Sequence, residues 1–422
     1  MRTRGRAVEL PGLESSPPAS VVQLASQAAA RESARRAPWD APDLFPPRPD
    51  TGEYGWRAGG KAKSCTRDEL VARCHAGPVD LVWTPDEPRM VPPAEVPWLL
   101  EPLRRRARGD LRFNLRVDAV MLLAGVAYLW QWGARTQPLY LTMFVLFAVV
   151  PAAQDLWAVA RLRRSFAYLA EQAAALRYGV WLGARRIVAT YFVAASLVAV
   201  WAAQVVVAAQ ESLLRVNPRP SILAAGLVKP LARQGEWWRL LTAELLHGHW
   251  LHVGMNLLSL LAVGRLLEVH ASPAYLPIVF LFSAVSASLA SLYLSPGTTS
   301  VGASGAVMGM IGFLAVLGYR RREVLPRGFM KSISLSIALT AAAGLVAHRH
   351  IDNAAHLGGL AGGVLLGLAY ASGRRGDDEY RLTPSRPSRL AGALAGAALA
   401  AVTFWTIWLI LRVRLQDALG WA

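Results

Sequence analysis

The segment Gly302-Ala303-Ser304-Gly305 sets a hydroxyl at the mouth of an apolar run that continues through Val307, Met308, Ile311, Leu314 and Val316. A second apolar, glycine-rich run opens 52 residues later with Ala355-His356-Leu357-Gly358-Gly359. A serine hydroxyl is a poor nucleophile until a neighbour takes its proton, and neutral imidazole is the side chain best matched to that task near pH 7. Ser304 as nucleophile and His356 as base therefore point to acyl transfer, and their place in apolar runs puts that chemistry inside a membrane. The attack creates an oxyanion, which needs fixed donors in a dry site. His252 and Asn256 can offer an imidazole N–H and an amide, and the backbone from Gly302 onward, at a helix start, can offer free N–H groups. Gly302 and Gly305 lack side chains, which lets a substrate backbone come close to the serine.

The elements that must position these groups follow from composition. Hydrophobic residues make up 54% of the 422, with a mean hydropathy of +0.31. They gather into runs of roughly 18 to 23 residues, the length needed to cross hydrocarbon. Nine spans are expected, at 116–134, 138–160, 187–209, 248–267, 274–294, 303–319, 331–347, 353–372 and 390–411. The net charge of +17 and the pI near 10.7 do not imply nucleic acid, because no basic stripe is interleaved with stacking aromatics. The basic residues instead flank spans: Arg104, Arg105, Arg106 and Arg108 before the first, Arg161, Arg163, Arg164, Arg185 and Arg186 after the second, Arg320, Arg321, Arg322 and Arg327 after the sixth, Arg374 and Arg375 after the eighth. With nine spans all these loops fall on one side, which the positive-inside rule makes cytoplasmic. The first hundred residues hold no run fit for a secretory signal, so the first span is expected to direct insertion, with the N-terminus cytoplasmic in a bacterial inner membrane. Cys65 and Cys74 then face a reducing compartment, and no disulfide is expected.

Polar residues inside a membrane are costly and usually functional, so their depth matters. If the third span runs outward, the fourth, sixth and eighth all begin at the outer face. His252 and Asn256 lie in the first turns of the fourth, Ser304 opens the sixth and His356 stands near the start of the eighth. Four groups from three helices thus share a depth just below the outer surface. Close approach of the serine and histidine helices needs small residues, and Gly305, Gly309 and Gly312 on one and Gly359 with Gly363 on the other supply a small-xxx-small face.

The order Trp238-Arg239, His247, His252 with Asn256, Gly264, Glu268, Gly302-Ala303-Ser304-Gly305 and Ala355-His356-Leu357-Gly358-Gly359 resembles the rhomboid intramembrane serine proteases over roughly 187–372. The resemblance implies a six-helix core, Ser304 as nucleophile, His356 as base without an aspartate partner, and an oxyanion hole from His252, Asn256 and the backbone by Gly302. It also implies that 210–238 is an external loop partly embedded in the outer leaflet and that the span at 331–347 is a lateral gate. Substrates would be transmembrane proteins presented from the lipid bilayer, favouring small or helix-breaking residues near the outer face, with no cofactor, metal or nucleic acid required. Two departures stand out: Met308 occupies a place where some members carry an aromatic against the base, and extra spans lie on both sides of the core.

The fold class expected is an all-α polytopic membrane protein: a rhomboid core at 187–372, about three additional transmembrane helices and a small α+β N-terminal domain. Residues 1–51, rich in Pro and Arg, read as a disordered arm. Residues 52–103 carry a strand signal at Tyr54 and Trp56 and a capping box at Thr66 and Glu69. Their segments Asp68 to Trp83 and Val91 to Leu100 resemble a GYF-like cytoplasmic domain, which would imply a cytoplasmic partner; an unrelated α+β domain is the alternative. Residues 104–186 hold two extra spans and a basic amphipathic connector at 161–186, and 373–422 a cytoplasmic linker and the ninth span. Competing readings are an inactive relative that binds client helices, a metal site built from His247, His249, His252, His348, His350 and His356, and a transporter. Retention of both Ser304 and His356, the absence of H-E-x-x-H and the absence of internal repeats weigh against each in turn.

Overall fold

The computed structural model describes residues 37–41, 43–132, 141, 144–208, 219–297, 299–348, 351–370 and 380–419. The N-terminal part contains β1 (Tyr54–Ala58), β2 (Lys61–Cys65), α1 (Arg67–Ala76) and β3 (Leu81–Trp83), with the antiparallel sheet ordered β2-β1-β3. Gly59 and Gly60, both at positive φ, turn the β1–β2 hairpin, as a two-residue turn between right-twisted strands requires. The expected capping box starts α1: Glu69 N donates to Thr66 Oγ1 at 3.2 Å and Thr66 N to Glu69 Oε2 at 2.8 Å. Leu70, Cys74, Val82, Val91, Val96 and Leu99 form the small core.

Residues 37–41 and 43–51, assigned by composition to a disordered arm, are ordered. Pro38–Asp40 forms a 3-10 turn, Phe45 is buried with Leu81, Trp83 and Met90, and Pro47 bridges to Arg89. Trp39 meets Tyr178, Trp181 and Tyr380 edge-on at 5.1–5.3 Å, and that aromatic burial outweighs the disorder tendency of the prolines around it. The rest of the arm, residues 1–36, lies outside the described residues.

Beyond α2 (Leu100–Trp132), a π-turn at Val145–Val149 leads into α3 (Val150–Arg164). The α2–α3 pair forms a hairpin whose apolar residues, such as Trp130, point outward, as a lipid-facing surface does. The second expected span, 138–160, falls partly outside the described residues. The connector is α4 (Ala167–Gly183), whose Leu169, Ala173 and Trp181 are buried.

The core comprises α5 (Val188–Ala208), the short loop helices α6 (Arg219–Ala225), α7 (Lys229–Arg233) and α8 (Arg239–Thr242), then α9 (Trp250–His270), α10 (Tyr275–Leu294), α11 (Ser304–Arg320), α12 (Arg327–Val346), α13 (Asn353–Tyr370) and α14 (Arg386–Leu419). Among the described residues, six helices are long and apolar enough to cross a membrane, and the serine-bearing α11 is a shorter apolar helix at the centre. The chain is a multi-pass membrane protein, all-α apart from its N-terminal sheet. Packing is tightest among α10, α11 and α13, while α14 seals the opposite flank against α5 and α10, where Gly392 lets the Ala274 carbonyl approach. By contrast, α12 rests mainly on α11, and most of its residues remain exposed or half-buried.

At the end of α9 away from Ser304, His270 closes the helix. Tyr178 Oη lies 2.7 Å from its Nε2, the Tyr380 carbonyl 3.1 Å from its Nδ1, and the Phe329 ring of α12 packs edge-on against it. Glu268 accepts from the N–H groups of Ala189 and Thr190 and from Thr190 Oγ1, tying the end of α9 to the start of α5. Gly264 permits that approach, because a Cβ there would meet Thr190 Cγ2 at 2.7 Å.

Candidate active site

Ser304 is the first residue of α11 and His356 lies in the first turn of α13, so both sit at helix N-termini. His356 Nε2 stands 2.8 Å from Ser304 Oγ, a direct hydrogen bond. Glycines make the approach possible. A Cβ on Gly359 would fall 1.9 Å from the Gly305 carbonyl oxygen, and one on Gly363 would fall 1.7 Å from that of Gly309. The two helices therefore meet backbone to backbone along the face expected from Gly305, Gly309, Gly359 and Gly363.

Gly302 precedes the serine at φ +120°, a conformation that favours glycine. Its N–H donates to the Ala243 carbonyl at 3.0 Å, which pins the turn to the loop before α9. A Cβ at Gly302 would lie 2.6 Å from His252 Cε1 and 3.6 Å from Asn256 Nδ2, so both α9 side chains face this turn. Asn256 is buried, and among the described residues its Nδ2 finds no acceptor. An amide donor without a partner is costly unless another state of the site uses it. The geometry thus gathers Ser304, His356, Gly302, His252 and Asn256 in one place.

The loop that leads into α9 is heavily fixed. Gln204 of α5 receives the His247 N–H and donates to the His247 carbonyl and to Ser221 Oγ, at 2.9–3.0 Å. Arg239 donates to the carbonyls of Leu223 and Gly226, and Thr242 to that of Ala225. Of the histidines weighed as metal ligands, His249 caps α9 by accepting from Leu251 N, and the His247 ring lies edge-on to His252 at 5.0 Å.

Several polar residues here were not singled out from sequence. Glu244 is buried beside the start of α11, accepts from Ser288 Oγ at 3.0 Å, and lies 3.6 Å from where a Gly305 Cβ would stand. Burial pushes its carboxyl up to about 8, against the opposing hydrogen bonds from Ser288 and the Ala306 N–H. Asp352 caps α13 by accepting from Ala355 N at 3.0 Å, and the hydroxyls of Ser291 and Ser300 also donate to it. Burial raises the Asp352 carboxyl, but these hydrogen bonds and Lys229 together hold it below the usual carboxylate range. An aspartate one residue before an apolar helix was a readable N-cap signal.

The rhomboid domain model matches residues 234–373, which include Glu244, His252, Asn256, Ser304, Asp352 and His356. Among similar proteins, the rhomboid protease GluP of Bacillus subtilis (strain 168) is 36% identical over 153 residues, 36% of this chain and 30% of that protein. RHOMBOID-like protein 4 of Arabidopsis thaliana is 33% identical over 141 residues, 33% of this chain and 36% of that protein. Rhomboid-like protease 5 of Toxoplasma gondii is 32% identical over 156 residues, 36% of this chain and 18% of that protein. The chain spans about a third or less of the length of these relatives. The segment 234–373 is therefore a rhomboid domain.

Proposed function

We propose that the protein is an intramembrane serine endopeptidase that cleaves transmembrane substrates near the outer face. The observation that carries this reading is the 2.8 Å contact between His356 Nε2 and Ser304 Oγ, with an unsatisfied Asn256 amide beside the same turn. In this mechanism His356 takes the Ser304 proton as Oγ attacks the scissile carbonyl. Asn256, His252 and backbone N–H groups at the α11 start receive the oxyanion, and the imidazolium then returns its proton to the leaving amine. Water repeats the sequence on the acyl-enzyme. Gly305, Gly309, Gly359 and Gly363 serve by letting the α11 and α13 backbones come together, and Gly302 by leaving room for the His252 ring. The naming of similar proteins as proteases supports the same reading. We further infer a cytoplasmic N-terminus in a bacterial inner membrane, a GYF-like role for residues 52–103 toward a cytoplasmic partner, and a lateral route for substrate past α12.

The test is labelling of the detergent-solubilised protein by a fluorophosphonate, which reacts appreciably only with an activated hydroxyl. Wild type is expected to be labelled and Ser304→Ala not; equal labelling of both would refute the assignment. An inactive client binder would leave wild type unlabelled.

A further inference from the structure

Among the described residues no carboxylate meets the imidazole of the base, yet an aspartate sits one turn before it, at the cap of the same helix. The Asp352 carbonyl accepts the His356 N–H at 3.1 Å, and Asp352 Oδ1 accepts the Ala355 N–H at 3.0 Å. The backbone at the root of the histidine is thus held by both ends of one residue. The other carboxylate oxygen receives Ser291 Oγ from the end of α10 and Ser300 Oγ from the loop before α11, and those two hydroxyls are 2.9 Å apart. Lys229, on α7 in the loop after α5, has a fully buried side chain; its Nζ stands 3.9 Å from Asp352 Oδ2 and donates to the Ser295 carbonyl. Ser300 is further fixed by backbone hydrogen bonds in both directions with Leu227, two residues before Lys229. Three separate stretches of chain therefore converge on one side chain whose remaining oxygen caps the helix of the base. A serine at 300 also lies four residues before the nucleophile, so the same cluster fixes the approach to Ser304.

We propose that Asp352 is the positioning residue of the general base: clamped by Lys229, Ser291 and Ser300, it sets the first turn of α13 and thereby the place of His356 against Ser304. This rests on the protease reading. A buried lysine would be costly as a mere ornament, since breaking such a pair leaves an uncompensated charge. Its acidic partner is anchored before the reaction starts, which is what a proton transfer over 2.8 Å requires. Among the described residues His252 of α9 also acts on His356, but it does not cap the helix of the base.

The experiment measures kcat, KM, fluorophosphonate labelling rate and melting temperature for the full-length protein and for Asp352→Ala, Asp352→Asn and Lys229→Met. Asp352→Ala is expected to lower kcat and labelling rate together by about 10- to 100-fold with KM within about twofold, the signature of a misplaced base. Asp352→Asn, which can still cap, should recover most of the labelling rate, and Lys229→Met should fall between. If Asp352→Ala does not fold, the Ser291→Ala/Ser300→Ala double variant frees the carboxylate with the cap retained and should lower kcat without raising KM. Unchanged kcat and labelling in a folded Asp352→Ala, or in the double variant, overturns the clamp while leaving the protease reading intact. A wild type as inert as Ser304→Ala removes both.

Discussion

Substitution of Gly359 by alanine attacks the site without touching a reacting group. The added Cβ would stand 1.9 Å from the Gly305 carbonyl oxygen and 2.7 Å from its carbon, where ordinary contact begins near 3.4 Å. Both obstacles are backbone, so no rotamer relieves the overlap, and α11 and α13 must separate by about 1.5 Å at this level. Gly359 lies one turn after His356 and opposite the residue that follows Ser304. Most of that displacement therefore reaches the dyad and stretches its 2.8 Å contact to about 4 Å, beyond a hydrogen bond. Loss on the order of 100-fold in kcat is expected from such a misplacement, with a stability cost of about 1–3 kcal/mol from overpacking. The assay is turnover of a transmembrane model substrate in detergent or liposomes, with thermal unfolding measured on the same preparations. Gly396→Ala on α14 is the control, since nothing stands within 4 Å of its added Cβ and the helix should gain about 0.5–1 kcal/mol. Full turnover in Gly359→Ala would mean that the dyad tolerates helix separation, and the claim that backbone contact sets its geometry would fail.

Other outcomes follow from the same structure. Asn256→Ala should lower kcat by something on the order of 10- to 1000-fold while melting temperature holds, because its free amide serves the developing charge; unchanged kcat with a depressed melting temperature would make it a packing residue. Glu244 has a carboxyl raised to about 8, so its protonated form favours the folded state. That contribution is full below about pH 4, fades as pH rises and is lost through about 8. Glu244→Gln should therefore flatten the fall in melting temperature between pH 5 and pH 9, and an identical slope in the variant would refute the burial argument. Trp39→Ala should cost about 3–5 kcal/mol of stability yet leave kcat unaltered, since Trp39 packs near His270 at the far end of α9, about 27 Å along the helix from His252; a matching loss of kcat at temperatures where the variant is folded would show coupling between the two faces.

What could be read from residues alone was whatever repeats with a helix period or must share a depth. Ser304, His356, His252 and Asn256 could be placed at one height because membrane parity converts sequence position into depth, and the glycines stood out because close helices tolerate nothing larger. The capping box at Thr66 and Glu69 was legible for the related reason that its partners are three residues apart. Trp39 was not: its neighbours Tyr178, Trp181 and Tyr380 are some 140 to 340 residues away, and a tryptophan among prolines gives no local sign of its destination. Asp352 stands between these cases. Its cap on α13 was a local signal, whereas its clamp draws on Lys229, Ser291 and Ser300 from three other stretches. A dyad without a third member looks underdetermined in sequence because one expects the orienting carboxylate on the imidazole. Here the carboxylate acts on the backbone instead, where one residue type carries both the cap and the tertiary contact, and the apparent gap in the machinery is filled by the helix that bears the base.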